Sequence, residues 1–202
     1  MKDVKALLPR SIMIFLVLMI ICGIVFPLVI TGIAQLCFHD KANGSIIEID
    51  GKKYGSALLA QEFTGEEYLW GRIMNVDTET YVDDNGKALM YSAPSNLSPA
   101  GGEFQQLVAE RTEKIKAAHP EKAGEPVPAD LVTCSGSGLD PDISPAAAEY
   151  QIDRIARARD IDPSQVRETV LKYTKGRFLG IFGEPTVNVL KVNLALDGIL
   201  NE

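Results

Sequence analysis

Ser11-Ile-Met-Ile-Phe-Leu-Val-Leu-Met-Ile-Ile-Cys-Gly-Ile-Val-Phe-Pro-Leu-Val-Ile-Thr-Gly-Ile-Ala-Gln-Leu-Cys-Phe38 is a run of 28 residues without a charged side chain. A bilayer core of about 30 Å needs about 20 helical residues, so the run crosses a membrane once, with tilt to spare, and is too short to cross twice. A cleaved signal peptide is the rival reading, since Gly32 and Ala34 suit small-residue cleavage positions. Its apolar region, however, would span only about 7–15 residues. Lipidation needs a small residue before the modified Cys, and Ile21 and Leu36 precede Cys22 and Cys37. Pro27 removes one backbone donor and predicts a kink. Gly23 and Gly32 suit close packing against another helix; a lipid-facing rod tolerates them equally.

Lys2, Lys5 and Arg10 against Asp3 make the short N-terminus positive, which predicts a cytoplasmic tail and an outward-facing remainder. With those four set aside from totals of 20 basic and 27 acidic residues, the rest carries 17 and 26, a net −9. That sign disfavours nucleic acid and anionic lipid and suits solubility. Cys134 is the single cysteine of the soluble part, so no disulfide framework is expected. Residues 40–202 suffice for one domain with its own core. The expected class is α+β: a single N-terminal transmembrane helix followed by one mixed α/β soluble domain. Residues 1–10 form the tail, 11–38 the anchor region and 39–202 the extracytoplasmic domain.

Within that domain, Ile46, Ile47 and Ile49 lead through Asp50-Gly51 into Lys52-Lys53-Tyr54, a strand, two-residue turn and strand. Residues 64–92 show no sustained period and read as loop, with Asp83-Asp84-Asn85-Gly86 a turn. From Phe104, Leu107, Val108 and Ile115 share a helical face, and His119-Pro120 ends that helix. The prolines of Gly124-Glu125-Pro126-Val127-Pro128 predict an extended linker into Leu131-Val132-Thr133. Ser144-Pro145 and Asp162-Pro163 are helix starts, an N-cap followed by Pro at the first helical position. The first of these helices buries Ala148, Ile152, Ile155 and Ala156. The second runs through Val166, Val170 and Tyr173 until Gly176 stops it. Residues 187–200 read as a short strand passing into a helix.

No phosphate-binding G-x-x-x-x-G-K-[ST] loop and no Asp-Lys-Thr-Gly-Thr is present. Ser135-Gly136-Ser137-Gly138 fails the G-x-S-x-G pattern, because Thr133 and Ser135 stand where the first Gly would be needed. His39 and His119 are the only histidines and lie too far apart in sequence to form a ligand-spaced cluster. Asp83-Asp84 and Asp140-x-Asp142 sit in turns, where carboxylates serve as caps more often than as acid and base. The densest constellation runs from Asp130 to Pro145. Its small residues and turn formers allow either a ligand loop or a rigid loop that starts the next helix, and the latter needs no partner.

That constellation also carries a resemblance. Pro126-Val-Pro-Ala-Asp-Leu-Val-Thr133, Ser135-Gly-Ser-Gly-Leu-Asp-Pro141, Ile143-Ser-Pro-Ala-Ala-Ala148, Tyr150-Gln151 and Arg154 resemble the signature stretch of the C-subunit family of Kdp potassium-transporting ATPases. Gly55-Ser56 through Gln61-x-Phe63, Ser95-Asn96-Leu97, Gly183-Glu-Pro185, Val187-Asn-Val-Leu190 and Asn193-Leu-Ala-Leu-Asp197 resemble the same family, so the likeness spans nearly the whole chain. Cys134 and Asp142 stand where the family usually has Ala and His. Trp70-Gly-Arg-Ile-Met74 keeps only the Gly-Arg of a longer pattern.

The resemblance implies an accessory subunit without catalytic or metal-binding residues, in the cell (inner) membrane. Its partners would be a potassium-conducting subunit, an ATP-hydrolysing subunit and a small stabilising subunit. ATP and potassium enter at the level of the complex, and the family attribution is a catalytic chaperone that raises the ATP affinity of the hydrolysing subunit. The motif residues proposed for interaction are Gln61, Ser95, Asn96, Asp130, Ser135, Gly136, Ser137, Gly138, Asp140, Pro141, Gln151, Arg154, Glu184, Asn188 and Asn193. The alternative from another class is a membrane-anchored outer-face enzyme or ligand-binding protein that uses the Ser-Gly-Ser-Gly-Leu-Asp loop.

Overall fold

The apolar N-terminal run is helical up to Cys37: α1 (Lys2–Ile20), one π-helical turn (Ile21–Val25) and α2 (Phe26–Cys37). The π turn has a local cause. Proline carries no N–H, and its ring collides with the carbonyl four residues back, here that of Gly23. Widening the preceding turn opens that space, and the Phe26 N–H reaches Ile21 O, five residues away. Just ahead of Pro27, where a kink is expected, the helix changes register. Leu7–Cys37 is long and apolar enough to cross a membrane. The computed structural model describes residues 2–200, with side chains from Leu7. The side chains of Lys2, Asp3 and Lys5, on which the sidedness expectation rests, lie outside the described ones.

Contacts divide the chain into two compact units, one ending at Ser45 and the other beginning at Ile46. The first closes with a short helix, α3 (His39–Ala42), and an amide pair in which Asn43 Nδ2 donates to Gln35 Oε1 at 3.0 Å.

The second unit opens with the expected hairpin, β1 (Ile46–Ile49) antiparallel to β2 (Lys52–Ser56). Asp50 and Gly51 both take positive φ, 52° and 75°, the turn geometry whose twist matches the flanking strands. Residues 64–92, expected as loop, also contain two short paired strands, β3 (Val76–Asp77) and β4 (Tyr91–Ser92). Two-residue strands are too short to show alternation, so nothing in the sequence marks them.

Helix α4 (Gly102–Ala118) ends at His119 as expected. The linker that follows is not extended up to Leu131. Ala129–Leu131 form a 3-10 turn, because Pro128 sets only its own φ and its predecessor's geometry, leaving the residues after it free to curl. The turn buries Leu131 at 1% exposure.

α5 (Pro145–Arg159) begins where the Ser144 hydroxyl accepts from the Ala147 N–H, and it buries all four residues of the expected stripe. α6 (Pro163–Lys172) begins with a capping box of Asp162 and Gln165. It ends earlier than expected: Tyr173 leaves the helix so that β6 (Thr174–Lys175) can pair with β7 (Thr186–Asn188). β7 also pairs with β5 (Asp142–Ile143), giving a three-stranded antiparallel sheet in the order β5-β7-β6. β7 runs directly into α7 (Val189–Leu196), the expected strand-to-helix passage, with the Asn188 side chain capping the Lys191 N–H. Ile143, Ile152, Ile155, Val166, Val187 and Val192 form one core with Leu69 and Leu131.

Candidate functional site

Arg154 lies on the inner face of α5 and is fully buried. A guanidinium has five N–H donors, and burial obliges each to find an acceptor. Here Nε donates to His119 Nε2 at 2.9 Å. Nη1 donates to the carbonyls of Gly65 and Glu66, and Nη2 to Tyr68 O at 2.9 Å and Gln151 Oε1 at 2.8 Å. The Trp70 ring covers the cation at 4.0 Å. Burial pulls the Arg154 pKa down to about 10, so the side chain stays charged at neutral pH. Burial likewise lowers the His119 pKa, partly opposed by the contact of Nδ1 with Ile115 O at 2.7 Å. A neutral His119 with the proton on Nδ1 donates to Ile115 and accepts from Arg154, satisfying both nitrogens.

Two amides beside Arg154 grip the same segment. Gln151 Oε1 accepts from Trp70 N at 2.9 Å and its Nε2 donates to Trp70 O at 3.0 Å. Asn193 Oδ1 accepts from Leu69 N at 2.7 Å and its Nδ2 donates to Leu69 O at 2.9 Å. Each amide reproduces the donor-acceptor pair of a neighbouring strand, so Leu69 and Trp70 are paired as in a sheet by side chains of α5 and α7. Arg159 closes the other end: Nε donates to Glu67 O at 2.6 Å, and Nη2 pairs with Asp197 Oδ1 at 2.7 Å. Gln151, Arg154 and Asn193, expected as interaction residues, thus face inward and bind the chain's own backbone. Sequence reasoning missed Arg159 and His119 as members of this clamp, because neither sits in a motif dense enough to draw notice.

The signature loop is a junction. Arg72 Nη1 stands 3.6 Å from Asp130 Oδ1 and 3.5 Å from Asp140 Oδ2, and Nη2 donates to Cys134 O at 3.4 Å. Asp130 Oδ2 accepts from Ser144 N at 2.9 Å, tying the loop's start to the start of α5. Asp140 Oδ1 accepts from Asp142 N, and Pro141 O accepts from Val189 N. Gly138 has φ 73°; a Cβ there would lie 2.6 Å from Ala93 O and 2.8 Å from Asn75 O. Only glycine permits that approach, in which Gly138 O also accepts from Asn75 N at 2.9 Å. Ser135 and Ser137 turn back on the loop, their hydroxyls accepting from the N–H groups of Gly138 and Leu139.

Outside the loop, Gln61 Nε2 donates to Tyr54 O at 2.9 Å, and Asn188 Nδ2 donates to Ala57 O and to Asp142 Oδ1. The exposed members of the set are Ser95, Asn96, Gly136, Ser137 and Glu184, the last paired with Arg177 at 2.7 Å. A cavity of about 490 Å³ in this unit is lined from residues 61–76, α4 and Leu131; Arg72, Arg111 and Lys114 stand on its wall with the single carboxylate Glu62. The Ser135–Gly138 run contributes nothing to that lining.

A family described as "KdpC: K+-transporting ATPase, c chain" matches residues 8–198. The chain is 59% identical over 200 residues to a potassium-transporting ATPase KdpC subunit of Clostridium botulinum (strain Eklund 17B / Type B), covering 99% of this chain and 100% of that one. It is 62% identical over 193 residues to one of Clostridium perfringens (strain ATCC 13124), covering 96% and 98%. With one of Paraburkholderia xenovorans (strain LB400) it shares 47% over 193 residues, covering 96% and 97%. These matches run over nearly the whole chain, and the chain belongs to the KdpC family, the c chain of potassium-transporting ATPases.

Proposed function

We propose that this chain is a non-catalytic subunit that holds its potassium-transporting complex together, bound to the potassium-conducting, ATP-hydrolysing and small stabilising subunits. One observation carries the reading: the polar side chains best placed for chemistry, Arg154, Gln151 and Asn193, are engaged with the chain's own backbone. Available for contact with other subunits are the helical span, the exposed motif residues Ser95, Asn96, Gly136 and Ser137, and the acidic domain surface, among others. An effect on ATP affinity then acts at a distance: a subunit that binds two states of the pump unequally shifts their populations without touching nucleotide.

The test withholds the chain while the other three subunits are expressed and purified in mild detergent. The expected outcome is loss of the joint complex and of growth on limiting potassium, with both restored on adding the chain back. Recovery of an intact, transporting complex without it would sink the proposal. Calorimetry of the full chain with ATP is expected to show no saturable micromolar binding, and such binding would revive direct nucleotide contact.

We propose that the domain faces outside the cell, the reading that the positively charged tail supports. An Asp84→Cys variant, at an exposed turn, is expected to react with a membrane-impermeant thiol reagent on cells stripped of their outer wall. Labelling only after lysis reverses the orientation.

A further inference from the structure

The ten residues between β6 and β7 form a finger with an apolar tip. Phe178 and Phe182 close it by exchanging both backbone hydrogen bonds, at 2.8 and 2.9 Å, and Leu179 and Gly180 turn the chain at φ 52° and 73°. Such turns favour Asn, Asp and Gly, and the tip here is Phe-Leu-Gly-Ile-Phe. Phe178 is 67% exposed, Leu179 74%, Ile181 72% and Phe182 62%. Nothing in the packing of the described residues accounts for four large apolar side chains on one tight turn.

Its surroundings reverse the sign of the domain. In sequence, Lys172, Lys175 and Arg177 flank the tip against the single Glu184, which pairs with Arg177 at 2.7 Å, whereas the residues beyond the span carry a net −9. The domain's first strand follows the last residue of the span, Cys37, after the short stretch Phe38–Ser45. At about 3.4 Å per extended residue that tether reaches less than roughly 30 Å, so the domain works at a membrane surface.

We propose that the Phe178–Phe182 finger enters the headgroup–acyl boundary of an anionic bilayer, its apolar tip in the acyl region and Lys172, Lys175 and Arg177 level with the phosphates. A closed turn suits that position, since the backbone pairing of Phe178 with Phe182 is complete before it meets lipid. Aromatic and aliphatic tips flanked by cations are the chemistry of interfacial insertion, with affinity from buried apolar area and from attraction to anionic headgroups. This inference stands apart from the assembly role, needing only that the chain is held at a membrane.

The test places the photoreactive residue benzoylphenylalanine at Leu179, and separately at Ile181, in the full chain within the assembled transporter. The complex is reconstituted in vesicles of equal parts phosphatidylcholine and phosphatidylglycerol, irradiated, and the adducts are read by mass spectrometry. The expected result is a phospholipid adduct at both positions, with phosphatidylglycerol taking more than its equal share and losing that excess in Lys175→Glu/Arg177→Glu. The same group at Asn85, on a polar exposed turn, is expected to capture no lipid. Crosslinking of the tip to another subunit overturns the proposal and makes the finger a protein-docking element. Absence of any adduct at both positions overturns it as well. Equal capture of the two lipids overturns the role of the cations.

Discussion

Arg154 is a buried cation held by a ring of five neutral acceptors, with no carboxylate among them. Lysine keeps the charge but offers three donors in place of five, from a point instead of a fork. Arg154→Lys is therefore expected to leave at least two carbonyl or amide acceptors unsatisfied and to cost about 3 kcal/mol. For a domain of this size that lowers Tm by roughly 6–12 °C, readable by circular dichroism of the purified chain. His119 adds a pH dependence of definite sign. Its pKa is lowered by burial, so below the unfolded value near 6.5 the unfolded state binds a proton that the native state refuses. Its contribution is fully present above about pH 6.5 and is lost as pH falls below that, by at most ~1.4 kcal/mol per pH unit. His119→Gln, which can still accept from Arg154 but does not titrate, is expected to flatten the fall in denaturation midpoint between about pH 6.5 and 5. An equally steep fall in the variant would remove His119 as its cause.

At the scale of elements, caps and turns were the legible features. Ser144-Pro145, Asp162-Pro163 and Asp50-Gly51 each encode a local geometry in two adjacent residues, and each element starts or turns there. What stayed hidden depends on residues far apart. α6 stops at Lys172 because Thr174 finds Val187 across the sheet, a contact that the spacing of Val166 and Val170 does not foretell. The segment 65–70 looked structureless because its strand-like partners are the amides of Gln151 and Asn193, which leave no period-two pattern in the chain they hold. Gln151 and Arg154 were recognisable as members of the motif set, but their inward orientation was not, since Gln and Arg in a helix are usually solvent-facing. The junction role of the signature loop yields a direct test. In Gly138→Ala the new methyl meets two backbone oxygens at a φ that alanine avoids, so more than about 2 kcal/mol of destabilisation is expected. Hydrogen exchange should rise first at Asn75, whose N–H bonds Gly138 O, and unchanged exchange there would contradict the assignment.

For the whole molecule, the span is as specific in shape as the domain. Gly23 lies inside the π turn ahead of Pro27, and Gly32 follows in α2; at both, a side chain would point into open space in the isolated chain. Bare glycine surface, one position within the register change and one beyond it, suits close approach of neighbouring helices. Gly23→Leu with Gly32→Leu keeps the span apolar, so membrane insertion is expected to persist while co-purification with the conducting and hydrolysing subunits falls severalfold. Wild-type recovery of the complex would reduce the span to a tether and leave association to the domain.

The side-chain grip on Leu69 and Trp70 also sets a timetable. Trp70 waits for an amide 81 residues downstream, and Leu69 for one 124 residues downstream. At about 5–20 residues per second, synthesis leaves Leu69 without its Asn193 partner for roughly 6–25 s after it is made. Loops of that length close slowly and reward nothing until they close. Throughout that interval a nascent chain already anchored by its first forty residues displays a leucine and a tryptophan beside unpaired peptide groups. The last helix to be translated is thus the latch of the domain, and a ribosome that stalls before Asn193 leaves behind a membrane-tethered, aggregation-prone intermediate.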